Sequence, residues 1–297
     1  MTRTQMADGL SFSRVVLGFW RVDEWKLDTG QLIRFLEECL DLGITTMDHA
    51  DIYGNYTAEG IFGEAVKKRP DLAKKMEIVT KCTIVYPSGN IRVKYYDSSE
   101  KWIVGQVEKS LACMHIDHID ALLLHRPDPF MDPGEVAGAF DRLKKEGKVR
   151  HFGVSNYLPH EYRMLKSYCN VPLITDQVEL SCLRMENLEN GVIPMCLEER
   201  IHPMIWSPLA GGKIFTGQGE VEIRLRETLE LIRKETGAES IDEIAFAWLF
   251  SHPAGMVPIT GSGEIELVKK PAAALRYQLT REQWFMIWTA VKGHKVL

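Results

Sequence analysis

One apolar run of the chain ends in a single reactive side chain: Ile119-Asp120-Ala121-Leu122-Leu123-Leu124-His125. The same pattern occurs in Met76-Glu77-Ile78-Val79-Thr80-Lys81 and in Thr45-Thr46-Met47-Asp48, which Tyr53 follows five residues later. Parallel strands that are separated by helices have their C-terminal ends on one common rim. The pattern therefore predicts that polar side chains far apart in sequence converge in space.

Short apolar runs of this kind recur along the whole chain and alternate with amphipathic stretches. The eight predicted strands are Arg14–Phe19, Thr45–Asp48, Met76–Lys81, Ile119–His125, His151–Val154, Leu173–Gln177, Pro203–Trp206 and Met256–Thr260. Between them apolar residues recur at helical spacing, as in Pro133–Gly147, which begins with Pro and ends with Gly. Because a (β/α)8 TIM barrel takes about 250 residues, this alternation favours a closed α/β barrel over an open sheet.

Three further segments extend the simple repeat. Asp8-Gly9 predicts a tight hairpin turn that precedes the first barrel strand and covers the barrel floor. Two extra helices, Ile241–Phe250 and Arg281–Val291, are expected to pack outside the barrel. Since no Pro/Ser-rich linker divides the sequence, we expect one domain over residues 1–297.

Composition narrows the class of protein. The chain has 297 residues, of which 45% are hydrophobic and 26% charged, as expected for a globular enzyme. Its net charge of −5 is too mild to indicate a nucleic-acid or membrane partner. No apolar stretch approaches the roughly 20 residues of a membrane span, and no apolar signal core follows the N-terminus. A cytoplasmic monomer is the expectation. The six cysteines form no CxxC pair, which favours reduced thiols without a metal.

The four side chains predicted to meet at the rim are Asp48, Tyr53, Lys81 and His125. Carbonyl reduction requires a hydride donor and a proton donor near the developing alkoxide. An isolated Tyr has a pKa of about 10, which a neighbouring ammonium lowers. The Asp can hold the Lys, and the His can orient the carbonyl oxygen. The set therefore predicts a carbonyl reductase in which Tyr53 donates the proton.

A metal-dependent barrel hydrolase is the rival chemistry for the same strand ends. Asp48-His49-Ala50-Asp51 and His125-x-x-Asp128 contain the oxygen and nitrogen ligands that such a centre needs. The later predicted strands, however, end in Ser155-Asn156, Asp176-Gln177 and Trp206-Ser207. Amides, hydroxyls and an aromatic face suit a planar ring that bears a carboxamide better than they suit a metal.

The sequence lacks the glycine fingerprint of a Rossmann fold. Gly217-Gln218-Gly219 and Gly261-Ser262-Gly263 each lack the third glycine. In barrels, phosphate groups often bind at the loops after strands seven and eight. Here those loops are Ser207–Gly212 and Thr260–Gly263.

Three stretches of the chain resemble the aldo-keto reductase superfamily, and the similarity extends over essentially the whole sequence. They are Gly43–Gly54, the pair Ser110-Leu111 followed by Ile116–Asp120, and Gly147–Asn156. The resemblance implies a (β/α)8 barrel that reduces aldehydes or ketones of small molecules with NADP(H). A catalytically weak regulatory subunit that keeps the nucleotide site, like channel-associated relatives of this fold, is the alternative function.

The resemblance also implies a role for individual residues. Asp48, Tyr53, Lys81 and His125 match the family's catalytic tetrad, with Tyr53 as the general acid. The positions that match the family's cofactor site are Ser155, Asn156, Gln177, Trp206, Ser207, Leu209, Gly211, Gly212, Gly261 and Ser262. Trp206 replaces the Tyr or Phe that usually stacks on nicotinamide, and its indole offers a larger face.

One departure from the family concerns the 2′-phosphate of NADPH. Neither the loop at Gly261 nor the position at Leu267 carries the expected basic residue. Lys269 and Lys270 follow on the same predicted helix and are predicted to substitute for it in part, without the bidentate fork of Arg. NADP(H) is therefore the predicted cofactor, with NAD(H) as the alternative.

Aromatic residues after the first four strands are predicted to line the substrate pocket, as is usual for ligand sites. They are Trp20, Trp25, Tyr56, Tyr86 and Phe130. Arg126 would favour an acidic substrate if it points inward, or it can pair with Asp128 at the surface.

Overall fold

Strands and helices alternate along residues 3–295, which the computed structural model describes. The strands are β1 (Arg3–Ala7), β2 (Leu10–Ser13), β3 (Val16–Gly18), β4 (Thr46–Asp48), β5 (Glu77–Cys82), β6 (Ile84–Val85), β7 (Tyr95–Tyr96), β8 (Ile119–Leu124), β9 (Val149–Ser155), β10 (Leu173–Glu179), β11 (Met204–Trp206) and β12 (Val257–Thr260). The helices are α1 (Thr29–Asp41), α2 (Ala58–Lys68), α3 (Pro70–Ala73), α4 (Glu100–Met114), α5 (Pro133–Lys145), α6 (Pro159–Tyr168), α7 (Glu186–Glu189), α8 (Val192–Glu199), α9 (Lys213–Thr216), α10 (Glu220–Thr236), α11 (Ile241–Phe250), α12 (Ile265–Ala274) and α13 (Arg281–Lys292).

Eight of these strands close into a parallel barrel in the order β3, β4, β5, β8, β9, β10, β11 and β12. The ring closes where Ile259 of β12 pairs with Val16 of β3. Each predicted strand is present, with ends that differ by a few residues, and the predicted (β/α)8 barrel is confirmed. The first strand is shorter than predicted because only Val16–Gly18 pairs with the neighbouring strands.

An N-terminal hairpin closes the barrel floor. Strands β1 and β2 pair antiparallel around Gly9. Its φ of +76° is favourable for glycine but strained for a residue with a side chain. Phe12 of the hairpin is fully buried among the apolar side chains that fill the barrel interior. At its edge, the Arg3 guanidinium donates to Thr45 Oγ1 at 2.8 Å and to Glu77 Oε1 at 2.6 Å. The predicted hairpin lid is therefore confirmed.

The prediction of the two extra helices was half right. Helix α13 packs outside the barrel, as expected, and its partner there is α10. Helix α11, by contrast, is the barrel helix between β11 and β12, and its residues 242–249 are all buried. A helix that is apolar on all sides is buried between neighbours, and α11 packs between α10 and α12. The extra helix on this side is therefore α10.

The loops at the C-terminal rim carry a small antiparallel ribbon, β6 with β7, in which Ile84 pairs with Tyr96. All six cysteines are free thiols, and four of them are buried. Within residues 3–295, none of the helices combines the length and the apolar character needed to cross a membrane.

Candidate active site

Lys81 is the centre of a hydrogen-bonded cluster at the rim of β4 and β5. Its Nζ lies 2.9 Å from each carboxylate oxygen of Asp48 and 3.0 Å from the Tyr53 hydroxyl. It also donates to the carbonyl oxygen of His49 at 2.6 Å. The Lys81 side chain has no solvent exposure, and that of Asp48 is 3% exposed. Three of the four predicted catalytic residues are thus in direct contact.

The turn after β4 explains why Tyr53 reaches Lys81. The backbone N–H of His49 donates to the carbonyl of Val79, and that of Asp51 donates to the carbonyl of Lys81. These bonds continue the β4–β5 ladder beyond the strand. Tyr53 N then bonds back to Ala50 O at 3.1 Å, which turns the chain over the strand end. The Tyr53 ring consequently lies 4.8 Å from the Lys81 ammonium.

His125 directly follows β8, the next strand of the barrel, and its ring contacts Tyr53. Its backbone N–H donates to Cys82 O at 2.9 Å, and its ring meets the Tyr53 ring edge-on at 5.7 Å between centroids. Nδ1 is buried and has no hydrogen-bond partner within residues 3–295, so Nε2 is the nitrogen available to a molecule in the cavity. Burial, with Lys81 and Arg126 nearby, holds the pKa of His125 well below its usual value. The imidazole is therefore neutral at physiological pH.

Charges within the cluster set the protonation states. Burial alone would lower the pKa of Lys81, but Asp48 and Tyr53 outweigh it and raise that pKa. Burial raises the pKa of Tyr53, although the ammonium of Lys81 opposes the rise. The sequence led us to expect a lowered phenol pKa, and burial reverses the sign. The cluster therefore holds a charged Lys81 and a neutral, proton-bearing Tyr53.

A chain of amide and hydroxyl hydrogen bonds leads away from Asp48 across the rim. The Gln177 amide donates to Asp48 Oδ1 at 2.7 Å, and the Ser155 hydroxyl donates to Gln177 O at 2.7 Å. The Asn156 amide donates to Ser155 Oγ at 2.7 Å, and its oxygen accepts from Trp206 Nε1 at 3.0 Å. These contacts fix the indole of Trp206 relative to the cluster.

An open cavity of about 790 Å³ runs along the rim, from Tyr53 and His125 to Phe246 and Leu267. Ten of the twelve residues predicted for the cofactor site line it: Ser155, Asn156, Gln177, Trp206, Ser207, Leu209, Gly211, Gly212, Gly261 and Ser262. Lys81 lies beneath the cavity surface, covered by Asp48 and Tyr53.

The loop after β11 exposes its backbone to this cavity. Ala210, Gly211 and Gly212 have φ angles of 52°, 64° and 88°, three successive left-handed residues. A Cβ added at Gly211 or Gly212 would meet no atom within 4 Å, so the space beside both is open. The loop can thus present its amides to a ligand at close range.

Lys269 and Lys270 do not line the cavity. Lys269 Nζ is 2.6 Å from Glu266 Oε1, and Lys270 Nζ lies 3.5 Å from Glu239 and 3.7 Å from Glu243. Spacing along the helix placed both lysines near the predicted phosphate site, but acidic side chains on the same helix and on its neighbour hold them elsewhere.

Three of the five aromatic residues predicted for the pocket walls also lie elsewhere. Trp20 and Tyr86 line the cavity. Trp25 packs against Phe19 and Phe35. The hydroxyl of Tyr56 accepts from Tyr86 N at 3.0 Å, which places Tyr56 behind that residue. Phe130 is 96% exposed. Each follows a barrel strand, as the prediction required, but the loops turn these rings away from the opening.

Some lining residues had no clear signal in the sequence. Lys94 belongs to the loop between β6 and β7, a ribbon that no strand pattern indicated. Asp242 and Phe246 line the cavity from α11, which we had assigned to the outside of the barrel. Asn55 has a φ of 54° beside Gly54, and the Gly-Asn pair was the one local cue to a special turn.

Three side chains of the rival metal centre, Asp48, His49 and Asp128, contact other residues. Both oxygens of Asp48 bind Lys81, and the Asp128 carboxylate accepts from Ser98 Oγ at 2.6 Å. His49 stacks on Phe19 at 4.2 Å between centroids. Across the described part of the chain, no three His, Cys, Asp or Glu side chains are grouped so that they could hold a metal ion.

The chain is similar to known proteins over nearly its whole length. The model of the aldo/keto reductase family matches residues 14–291. The chain is 50% identical to the uncharacterized oxidoreductase YcsN of Bacillus subtilis and 42% identical to a 6-dehydroglucose reductase of Agrobacterium fabrum, over the full length of all three proteins. An aldo-keto reductase structure from Bacillus halodurans superposes with a TM-score of 0.83 at 24% identity, covering 100% of this chain and 98% of the other.

Proposed function

The chain belongs to the aldo/keto reductase family, and on that premise we propose that it reduces the aldehyde or ketone group of a small molecule with a nicotinamide cofactor. The observation that carries the proposal is the contact of Lys81 Nζ with Tyr53 and with both oxygens of Asp48. A buried ammonium fixed against a phenol is the arrangement that proton donation to an alkoxide requires.

The lining of the cavity fits a nicotinamide dinucleotide. Ser155, Asn156 and Gln177 offer hydroxyl and amide groups that suit a carboxamide, and Trp206 offers an aromatic face beside them. The open backbone at Gly211 and Gly212 suits a pyrophosphate. A reduced nicotinamide in this position supplies the hydride for the reaction.

Tyr53 acts as the general acid. Its raised pKa keeps the phenol protonated through the neutral range, so the proton is available when the carbonyl oxygen gains negative charge. Lys81 then stabilises the phenolate through the 3.0 Å hydrogen bond. Asp48 holds the ammonium in place and offsets its charge, and the proton returns to Tyr53 from solvent.

His125 orients the substrate. A neutral imidazole with its proton on Nε2 donates a hydrogen bond to the carbonyl oxygen without bringing a second positive charge next to Lys81. The oxygen thus receives one hydrogen bond from Tyr53 and one from His125. This polarises the carbonyl for hydride attack.

We propose NADP(H) as the cofactor, with a modest preference over NAD(H). Lys269 and Lys270 lie in α12, the helix that follows Gly261, and each is paired with a carboxylate. Binding of a 2′-phosphate would require these pairs to loosen, which offsets part of the gain in charge attraction. The paired lysines therefore argue for weak discrimination between the two cofactors.

Aldehydes of polyhydroxy compounds are the first substrates to assay, because two relatives, at 42% and 32% identity, are named 6-dehydroglucose reductase. The intact contact of Tyr53 with Lys81 favours an active enzyme over a regulatory subunit that only binds the nucleotide. Steady oxidation of NADPH by glyceraldehyde would separate the two possibilities.

Tyr53→Phe tests the proposal, since it removes the phenolic hydroxyl and keeps the ring. We expect kcat for aldehyde reduction to fall about 10²- to 10⁴-fold, the usual contribution of a general acid. Cofactor affinity, followed by Trp fluorescence, should not change. Tyr157→Phe is the matched control, because it also removes a buried tyrosine hydroxyl, but one that neither lines the cavity nor forms a hydrogen bond within residues 3–295. Retention of half the activity by Tyr53→Phe would exclude this residue as the proton donor.

A further inference from the structure

Three basic residues line the cavity without an ion pair in the described part of the chain. Arg21 follows β3, and the other two act on the pKa of His125 at the catalytic end. These two are Arg126, directly after His125, and Lys94, in the loop between β6 and β7. Neither has a carboxylate oxygen within 4.0 Å in the described part of the chain. Asp128, the obvious partner for Arg126, instead accepts from the Ser98 hydroxyl and from Phe130 N.

Aromatic rings support both cations. The Arg126 guanidinium carbon lies 5.7 Å from the centroid of the Trp206 ring, and Lys94 Nζ lies 5.3 Å from that of Tyr86. Trp206 and Tyr86 line the cavity themselves. Cation–π contact at this distance holds a charge in place without neutralising it. The two charges are therefore presented to the cavity.

Both cations are close enough to the reacting groups to affect them. Each contributes to the lowered pKa of His125, and Arg126 also acts on the pKa of Tyr53. Arg126 also acts on the pKa of Glu179, with which it forms no ion pair within the described residues. A group bound by Arg126 thus belongs to the molecule whose carbonyl lies at Tyr53.

The loops that carry these two cations differ from the loops proposed for the cofactor's pyrophosphate. In the closed strand order, β5 lies opposite β11, and β8 lies opposite β12. Lys94 and Arg126 follow β5 and β8, whereas the loops proposed for the pyrophosphate follow β11 and β12. The strands that precede Lys94 and Arg126 are therefore opposite those that precede the phosphate loops, and the Arg126 side chain extends across the rim to Trp206 at the end of β11.

We infer that the substrate carries an anionic group, a carboxylate or a phosphate, which Arg126 and Lys94 bind while the carbonyl oxygen lies at Tyr53. This rests on the proposed function and narrows its substrate class. Arg126 offers two parallel donors to such a group, and Lys94 adds a mobile point charge. The anion itself takes no part in the transfer of hydride and proton.

Matched pairs of aldehydes test the inference on the full-length enzyme with NADPH. The first pair is 4-carboxybenzaldehyde and its neutral methyl ester; the second is glyceraldehyde 3-phosphate and glyceraldehyde. The variants are Arg126→Gln and Lys94→Gln, and the control is Arg92→Gln, which removes an equal charge from an exposed residue outside the cavity lining. A charge-assisted hydrogen bond predicts that Arg126→Gln lowers kcat/KM for the anionic member about 10- to 100-fold. The neutral member should change less than about threefold.

The outcomes separate the two levels of the argument. If Arg126→Gln lowers kcat/KM more for the carboxylate or for the phosphate than for its neutral counterpart, that anion is the one bound. Either result supports the inference, provided that Arg92→Gln does not change the ratio of kcat/KM between the anionic and the neutral aldehyde. Equal kcat/KM within each wild-type pair, unaltered by Arg126→Gln, overturns the inference and leaves the reductase proposal standing. Absence of turnover with all four aldehydes would overturn both.

Discussion

Replacing Lys81 by Met should separate the stability of the buried cluster from its chemistry. The change keeps most of the aliphatic stem and removes the ammonium, so Asp48, whose side chain is 3% exposed, retains only the Gln177 amide among the bonds described. Breaking a buried ion pair by removing one partner costs about 3–5 kcal/mol. The unfolding entropy is about 2.1 cal/mol/K per residue, or roughly 0.6 kcal/mol/K for 297 residues. The melting temperature should therefore fall by about 5–8 °C.

The double variant Asp48→Asn/Lys81→Met removes both charges and is the informative comparison. The introduced asparagine keeps an oxygen that can accept the bond from Gln177, and no uncompensated charge is left in the interior. Replacing a buried pair by neutral residues is often close to neutral for stability. Most of the lost melting temperature should therefore return.

Activity should not return with stability. Both variants lack the ammonium that we propose stabilises the Tyr53 phenolate, so single-turnover reduction should be slowed by about 10²-fold or more in each. Calorimetry and stopped-flow NADPH oxidation on the same preparations measure the two quantities. A double variant that melts as low as the single one would show that Asp48 and Lys81 are not coupled as charges. A double variant with normal turnover would refute the role of Lys81 in catalysis.

Two other perturbations address groups outside this cluster. Burial raises the pKa of Asp176 to about 8, against an ordinary value of 3.8. Between these two values the folded state keeps a proton that the unfolded state releases. The free energy of unfolding should therefore decline as pH rises from about 4 to about 8. Urea unfolding at several pH values should show a weaker decline in Asp176→Asn, and an identical slope would contradict the assigned protonation. The double variant Lys269→Ala/Lys270→Ala should weaken NADPH binding and leave NADH binding unchanged. Glu266→Gln removes the ion-pair partner of Lys269 and should tighten NADPH binding by roughly 1.5- to 5-fold, which corresponds to the free energy of an exposed ion pair. Fluorescence titration with both cofactors measures these constants, and equal shifts for NADPH and NADH would remove the lysines from the phosphate site.

The barrel could be predicted because short stretches of sequence are enough to indicate each of its strands and helices. Each strand is a short apolar run, and the period changes to helical spacing after it. Helix α11 was misplaced because its apolar residues lie on all sides, and periodicity cannot distinguish a barrel helix from an extra one. The amphipathic helix α10 is the peripheral element, which only its packing on α13 reveals.

Within the site, strand-end residues were predictable from topology, and the individual loop residues after β11 and β12 were predictable only from the family resemblance. The position of a side chain at the C-terminal end of a parallel strand follows from topology. Trp25 and Phe130 also follow strands, but the turns that carry them depend on contacts made elsewhere in the chain. The role of Lys269 could not be predicted either. Its partner Glu266 is three residues away, and sequence spacing alone did not decide whether the lysine pairs with that carboxylate or binds a phosphate.

The hydrogen bond from Gln177 to Asp48 joins residues 129 positions apart in the chain. It lies across the ring, because β4 and β10 are opposite strands in the closed order. Contacts of such large sequence separation form late in folding, since the entropy of closing the intervening chain must be lost first. Neither half of the barrel contains the site, and a half-folded chain has nowhere to bind a nicotinamide. The rate at which turnover recovers during refolding therefore measures the rate of ring closure, separately from the earlier formation of helices.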